Sequence, residues 1–140
     1  WSGAHPGSDP DRLYLDPASG TDEFGTLRTT TYNDFPRLRW LGAAGGQTAL
    51  FNPAHIGTWF CIEMHMKLNS RDAADGVLEY WIDGQLEAQR TNLNWIGMYN
   101  EYGINAVYLE QYWTSVPFSK VQQRYFDNFV VSTARIGCAR

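Results

Sequence analysis

The sequence has few cysteines, few basic residues and no long apolar run, and each shortage excludes a class of protein. Its 140 residues include 11 lysines and arginines against 15 acids, which gives a formal net charge of −4. The basic residues are scattered, unlike the basic surface of a nucleic-acid-binding protein. No stretch of about 18 apolar residues occurs, so no membrane-spanning helix is predicted. The sequence also lacks a phosphate-binding loop, a nucleophile elbow and an Asn-x-Ser/Thr glycosylation site.

The cysteine and histidine content gives no support to a metal site. Cys61 and Cys138 lack C-x-x-C spacing, and the three histidines are dispersed, so a zinc site is not expected. In an oxidising compartment the two cysteines would form one disulfide. Two buried free thiols are the alternative, and the residues alone leave both open.

Aromatic residues and glycines are abundant. Aromatics make up 15% of the chain, there are 13 glycines, and helix-forming stretches are few, a composition typical of an all-β protein. No internal repeat or interior linker is visible, so residues 1–140 are predicted to form one domain. Residues 1–25 form a loop-rich N-terminal segment.

Seven or eight strands separated by turns are predicted, which favours two antiparallel sheets packed face to face. The predicted strands cover 26–32, 36–42, 48–52, 58–68, 77–82, 85–90, 104–113 and 124–133, and within the N-terminal segment only 12–15 resembles a short strand. The strongest local signal is the Asp83-Gly84 turn, which predicts a hairpin. It would place Trp81 opposite Leu86, Glu79 opposite Ala88 and Tyr80 opposite Glu87. Neither face of this hairpin is cleanly apolar, so its buried face is not predicted.

The stretch "GTWFCIEMHMKLNS" (57–70) alternates between two kinds of side chain. One face of the predicted strand is apolar and is expected to border the core, with Phe60, Ile62, Met64, Met66 and Leu68. The opposite face carries Trp59, Cys61, Glu63, His65 and Lys67. A strand of this kind borders a core on one side and presents its second face to solvent or a ligand.

Three motifs, "GTWFCIEMHMKLN", "DGVLEYWIDG" and "RYFDNFVVSTARIG", occur in that order. Together they resemble the later strands of the concanavalin A-like lectin/glucanase jelly rolls, and most closely secreted bacterial domains related to jelly-roll polysaccharide lyases. The resemblance covers roughly residues 57–137, and residues 1–56 match weakly. It implies a jelly-roll sandwich, and it places Cys61 and Cys138 close enough to be bonded.

The first functional expectation from this resemblance is a secreted, extracellular domain that binds an extended polysaccharide or oligosaccharide on its concave sheet. Exposed rings would stack on sugars while polar groups bond the hydroxyls. If Val107 and Leu109 are core residues, Tyr108, Glu110 and Tyr112 share the other face of their strand. The predicted glycan-binding residues are Trp59, Glu63, His65, Glu79, Trp81, Tyr108, Glu110 and Tyr112.

An enzymatic alternative is a polysaccharide lyase acting by β-elimination on uronate polymers. Its catalytic residues would be Arg37, Arg39, His65, Tyr108 and Tyr112, although the family's three lyase motifs are incomplete here. A glycosidase is disfavoured, because the stretch that should carry paired acids reads Glu63-Met64-His65-Met66-Lys67. No cofactor is expected beyond a structural calcium near Asp127, for which one carboxylate is a small part of the ligand set.

The chain is short for this family, so it is either a compact variant or part of a larger domain. An incomplete sheet would leave an open strand edge, which predicts a homo-oligomer or a partner segment. The remaining alternative is a structural, self-assembling protein without a ligand.

Overall fold

The computed structural model describes residues 2–31, 34–99, 101, 103–110 and 123–138, and the strands among them form two antiparallel sheets. Within those ranges there is no α-helix, and the helical turns are 3-10 helices at Phe35–Arg37 and Pro53–His55. The predicted all-β class with two antiparallel sheets is therefore confirmed. The strands are β1 (Ser2–Pro6), β2 (Leu13–Ser19), β3 (Arg39–Trp40), β4 (Ala44–Gly45), β5 (Ile62–Lys67), β6 (Gly76–Ile82) and β7 (Gln85–Leu93).

Sheet 1 is built around β2. One edge of β2 pairs with β1, and the other edge pairs with the short strands β3 and β4. The strand predicted at 12–15 therefore continues to Ser19. The strand predicted at 36–42 shortens to two residues, because Pro36 lies in a 3-10 helix and Gly42 has a φ of 92°.

Sheet 2 contains β5, β6 and β7 in that order, all antiparallel. The predicted hairpin between β6 and β7 is confirmed. Asp83 and Gly84 have φ values of 49° and 82°, and positive values at both positions are what a tight hairpin turn with the twist of the flanking strands requires.

A β-bulge shifts the hairpin register from the predicted one. The observed pairs are Trp81 with Leu86, Tyr80 with Ala88 and Glu79 with Gln89. The first pair matches the prediction, and the other two are displaced by one because Glu87 is an extra residue on β7. The Glu87 carboxylate accepts hydrogen bonds from the Gln47 N–H at 2.7 Å and from the Thr48 N–H at 2.8 Å. The bulge thus ties sheet 2 to the loop that follows β4.

The hydrophobic core lies between the sheets, where β2 packs on β6 and β7 and β4 packs on β7. Its buried members are Leu13, Leu15, Leu50, Leu78, Tyr80, Ile82, Ala88, Leu93, Trp95 and Ile96. Burial of the β6 side chains alternates, which settles the hairpin face: Leu78, Tyr80 and Ile82 point into the core. The Tyr80 hydroxyl donates to the Leu13 carbonyl at 2.9 Å. Burial, followed by the charge of Glu87 and the proximity of Tyr14, raises the pKa of Tyr80 to about 12.

A buried polar cluster closes the end of the core where β7 finishes. Asn69 accepts hydrogen bonds from the main-chain N–H groups of Trp95 and Ile96. The Trp95 carbonyl accepts from the hydroxyls of Ser19 and Thr21 on the sheet 1 side. This cluster fixes both sheets to the segment after β7.

The predicted core face of β5 is only partly buried. Phe60, Met66 and Leu68 pack against the core, whereas Ile62 and Met64 are 48% and 43% exposed. The prediction was wrong for these two residues because β5 is an edge strand. Among the described elements, the strands of sheet 1 contact β6 and β7 but not β5.

Four other predicted strands are not formed in the described residues. The 26–31 region contributes a single bridge from Leu27 to Thr21, and 48–52 is a turn. Residues 104–110 and 124–133 are not in strands, and Val107 and Leu109 are 48% and 53% exposed rather than core. Alternating sequence makes a strand only where a neighbouring strand supplies hydrogen bonds, and the described residues supply none here.

Within the described ranges, no helix is long and apolar enough to cross a bilayer.

Candidate functional site

One side of sheet 2 faces away from sheet 1 and carries polar and aromatic side chains. The strand register pairs Glu63 with Trp81 and His65 with Glu79, and directly paired residues project to the same side of an antiparallel sheet. This surface, called the outer face below, comprises Glu63, His65, Glu79, Trp81 and Gln89. Four of the eight predicted glycan-binding residues therefore lie side by side.

At the centre of the outer face, Glu79 binds two neighbours. His65 Nδ1 lies 2.8 Å from Glu79 Oε1, and the Gln89 side-chain amide donates to Glu79 Oε2. Since a carboxylate only accepts hydrogen bonds, Nδ1 is the donor to Glu79. Nε2 is the ring nitrogen that Glu79 does not bind. The His65 side chain is 51% exposed, whereas that of Glu79 is 14% exposed. The outer face thus offers ligands an oriented imidazole and a side-chain amide.

Glu63 holds the C-terminal segment onto β5. Its Oε1 accepts hydrogen bonds from the Ile136 N–H at 2.8 Å and the Gly137 N–H at 3.1 Å. Its Oε2 accepts from Arg135 Nε at 3.2 Å. The hydrogen bond from Gly137, supported by those from Ile136 and Arg135, outweighs partial burial and lowers the pKa of Glu63 from its ordinary 4.5. The carboxylate is therefore engaged by the protein itself.

Two further contacts fix the same segment. The Arg135 guanidinium lies 4.5 Å from the centroid of the Trp81 ring, in cation–π geometry. Cys61 and Cys138 form a disulfide with a Cα–Cα distance of 5.8 Å, so the alternative of two free thiols does not apply in this structure. One face of the Trp81 ring is thus covered by residue 135.

A groove of about 940 Å³ adjoins the outer face where β5 begins. The Trp59 indole lines it and is 67% exposed. Its polar lining residues are Asp83, Asp127 and Asn128, and Asp83 Oδ1 also accepts a hydrogen bond from the Cys61 N–H at 2.9 Å. No lysine or arginine is among its described lining residues. This Trp59 groove combines an accessible ring with hydrogen-bonding groups of neutral or negative character.

The residues predicted for a lyase are not gathered at one place. Arg39 lies on β3 of sheet 1, and its guanidinium donates to the carbonyls of Thr21 and Asn94 at 3.0 and 2.7 Å. Arg37 lies in the neighbouring 3-10 helix and pairs with Asp34, which precedes that helix. His65 lies on the outer face of sheet 2. Arg39 thus has a structural role in bridging two main-chain segments.

The remaining predicted site residues lie outside the strands. Tyr108 is 70% exposed in the segment 103–110, which also contains Glu110. Tyr112, together with Trp1 and Trp113, lies outside the described residues. The Asp127 carboxylate accepts the Asn128 N–H at 2.7 Å. The described ranges contain no group of three or more His, Cys, Asp or Glu arranged for a metal, and structural calcium at Asp127 stays a prediction.

Sequence reasoning missed four residues of these surfaces: Asp83, Gln89, Asn128 and Arg135. Gln89 was missed because the predicted register omitted the bulge. The signal for Arg135 was present, because a Cys61–Cys138 bond necessarily brings the preceding residues beside Cys61.

The Glu63 contacts predict an acid-sensitive attachment of the C-terminal segment. The folded-state pKa lies below 4.5, so the stabilisation is fully present above that pH and is lost as pH falls through the folded-state value. We expect Glu63→Gln to lower the free energy of unfolding by about 1–3 kcal/mol at neutral pH. Urea unfolding at neutral and acidic pH measures both effects. As a control, Asp75→Asn should leave this contribution in place, because Asp75 binds Ser70 and Lys67 instead. Equal acid sensitivity in Glu63→Gln and the parent chain would contradict the assignment.

Comparison with protein families, curated proteins and solved structures finds no match to this chain. Its function is therefore inferred from the geometry of the outer face and the Trp59 groove.

Proposed function

We propose that this chain is a secreted carbohydrate-binding β-sandwich that recognises an extended, neutral glycan along the outer face and the Trp59 groove. The single observation that carries the proposal is the Trp59 indole, 67% exposed beside Asp83, Asp127 and Asn128. An accessible ring stacks on the apolar face of a pyranose, and carboxylate and amide groups bond its hydroxyls.

The size and composition of the groove agree with this class of ligand. A volume of about 940 Å³ lies within the range of small-ligand sites, roughly 300–1,000 Å³. The outer face extends the polar surface beyond the groove through His65, Glu79 and Gln89. A surface that continues past one subsite suits a chain of sugars better than a single small molecule.

Electrostatics favours a neutral glycan over a uronate polymer. Asp83 and Asp127 line the groove, and its described lining has no cation to neutralise a ligand carboxylate. The whole chain has a net charge of −4, which also repels polyanions.

Secretion and the jelly-roll topology belong to the same proposal. The Cys61–Cys138 disulfide supports an oxidising compartment. The first two of the three motifs that resemble the jelly-roll lectins and glucanases contain β5 and β6, and these support the topology. Among the described strands, β5 pairs with β6 alone, which supports association through its second edge. Sedimentation would reveal such association as a mass above 16.0 kDa.

We expect Trp59→Ala to weaken glycan binding about tenfold or more, because the stacking surface is lost, and tenfold corresponds to about 1.4 kcal/mol. A panel of neutral and uronate oligosaccharides identifies the ligand, and calorimetric titration then measures the affinity. The matched control is Trp40→Ala, since Trp40 is also an exposed indole but lies on β3 of sheet 1. Equal loss in both variants, or no binding to any glycan, would contradict the site; the second result would favour the structural, self-assembling alternative.

A lyase is the second candidate, favoured by one observation. Glu79 fixes the His65 imidazole at 2.8 Å, which is the way a carboxylate orients a general base. A lyase would generate an unsaturated uronide with rising ultraviolet absorbance, and His65→Ala would abolish turnover. In the binding protein, the same substitution only reduces affinity.

A further inference from the structure

Residues 135–138 lie across one end of the outer face and are held there by three kinds of bond. Arg135 covers the Trp81 ring, the N–H groups of residues 136 and 137 bind Glu63, and Cys138 is bonded to Cys61. We propose that these residues form a strap that is held closed by the disulfide. The strap blocks the Trp81 end of the outer face and opens when the disulfide is reduced. What the strap blocks rests on the proposed function; whether it opens does not.

The strap makes the contacts that a sugar would make. A guanidinium 4.5 Å from the ring centroid occupies the ring face on which a pyranose would stack. The two main-chain N–H groups and Arg135 Nε donate to Glu63, as sugar hydroxyls would. Trp81 and Glu63 were both predicted to bind glycan, and the strap occupies both. Strap and ligand therefore exclude each other at this end of the face.

The disulfide determines whether the strap or a glycan occupies this end of the outer face. The Arg135 side chain is 56% exposed, so its ion pair with Glu63 is weakened by water and salt. The disulfide joins residues 77 positions apart, and it keeps the strap at a high effective concentration beside β5. Both cysteines are half-buried rather than enclosed, so a small reductant reaches them.

Opening is a two-electron exchange with a dithiol reductant. One thiolate of the dithiol attacks a sulfur of the Cys61–Cys138 bond and forms a mixed disulfide, releasing the other cysteine as a thiolate that takes up a proton. The second thiolate of the dithiol then displaces the remaining cysteine. The products are two protein thiols and the cyclic disulfide of the reductant.

Limited trypsin digestion of the full chain tests strap opening without any glycan. We expect cleavage after Arg135 to be slow in the oxidised protein and at least tenfold faster after dithiothreitol treatment, because reduction frees the backbone to enter the protease. Cleavage after Arg37, in an exposed 3-10 helix, is the internal control and should not change. Cys138→Ser should show the fast rate without reductant. Equal rates after Arg135 in the oxidised and reduced protein would overturn the strap.

Glycan titration of the same samples separates the two proposals. Residues 136–138 also line the Trp59 groove, so reduction frees the Trp81 ring but removes part of the groove wall. We expect the freed ring to dominate, so that reduction raises affinity several-fold in the parent chain and has no effect in Cys138→Ser. Glu63→Gln, which retains the disulfide, provides a second way to loosen the strap if Cys138→Ser does not fold. Faster cleavage at Arg135 without binding of any glycan would support the strap and contradict the proposed function. Glycan binding with equal affinity before and after reduction would support the function and overturn the strap.

Discussion

Replacement of Asn69 with alanine is expected to lower the free energy of unfolding by about 3 kcal/mol or more. Asn69 is 4% exposed, and its Oδ1 accepts hydrogen bonds from the N–H groups of Trp95 at 2.7 Å and Ile96 at 3.1 Å. Its Nδ2 donates to the Ser70 and Ala73 carbonyls. Alanine would leave two buried N–H donors without this acceptor, and each orphaned group costs about 1–3 kcal/mol.

Chemical denaturation measures this effect directly. The control is Gln47→Ala, which removes a side-chain amide from an exposed position whose hydrogen bond to Glu87 comes from the main chain. We expect it to change stability by less than about 0.5 kcal/mol. Similar losses in the two variants would show that the Asn69 cluster does not hold the sheets together.

The second large effect is expected for Gly46→Ala, which should lower the free energy of unfolding by about 1–3 kcal/mol because the added Cβ overpacks the core. A Cβ at residue 46 would lie 1.8 Å from the Tyr80 hydroxyl and 3.2 Å from Glu87 Oε2. If Tyr80 moved aside, it would lose the packing of its fully buried ring and the hydrogen bond from its hydroxyl to the Leu13 carbonyl. The Gly46 N–H donates to the same carbonyl at 2.9 Å.

Gly3→Ala is the matched control for this substitution. A Cβ there meets nothing within 4 Å, and Gly3 lies within β1. Alanine should therefore stabilise the chain by about 0.5 kcal/mol, since glycine loses more backbone entropy on folding. Thermal or urea unfolding should give effects of opposite sign for the two glycines. A neutral Gly46→Ala would contradict the packing of the residue 46 loop against Tyr80.

The elements predicted correctly were those with local signals. The Asp83-Gly84 turn defines a hairpin within about 20 residues, and the Trp81–Leu86 pair follows from the turn alone. The alternation in 57–70 also located β5 and the shared face of Glu63 and His65. Local backbone geometry and side-chain period are sufficient for such features.

The features that were not predicted depend on distant contacts. The Glu87 bulge is satisfied by the main chain of residues 47 and 48, so the hairpin sequence alone does not reveal it. Burial of Ile62 and Met64 was wrongly predicted because the alternation of β5 does not show how far sheet 1 extends. Segments such as 104–110 have strand-like alternation but no described neighbour to pair with.

In the candidate site too, local features were predicted and contacts with distant residues were not. His65 and Glu79 were both among the predicted glycan-binding residues, but their pairing at 2.8 Å was not predicted. Glu63 was expected to contact sugar, but its carboxylate binds residues 135–137, more than 70 positions away. A single sequence shows which groups a strand presents, but not which of them the rest of the chain already occupies.

The most direct test of glycan recognition at Trp59 is a titration followed through the tryptophan indole N–H signals by NMR. We predict that a glycan selected from the panel shifts the Trp59 signal, because its exposed ring forms the stacking surface of the groove. The Trp95 signal should stay in place, since its ring is buried and Nε1 donates to Ser2 at 2.8 Å. The Trp40 signal, from the opposite sheet, should also stay in place. A saturable shift at Trp40 with none at Trp59, or no shift with any glycan, would contradict glycan recognition at Trp59.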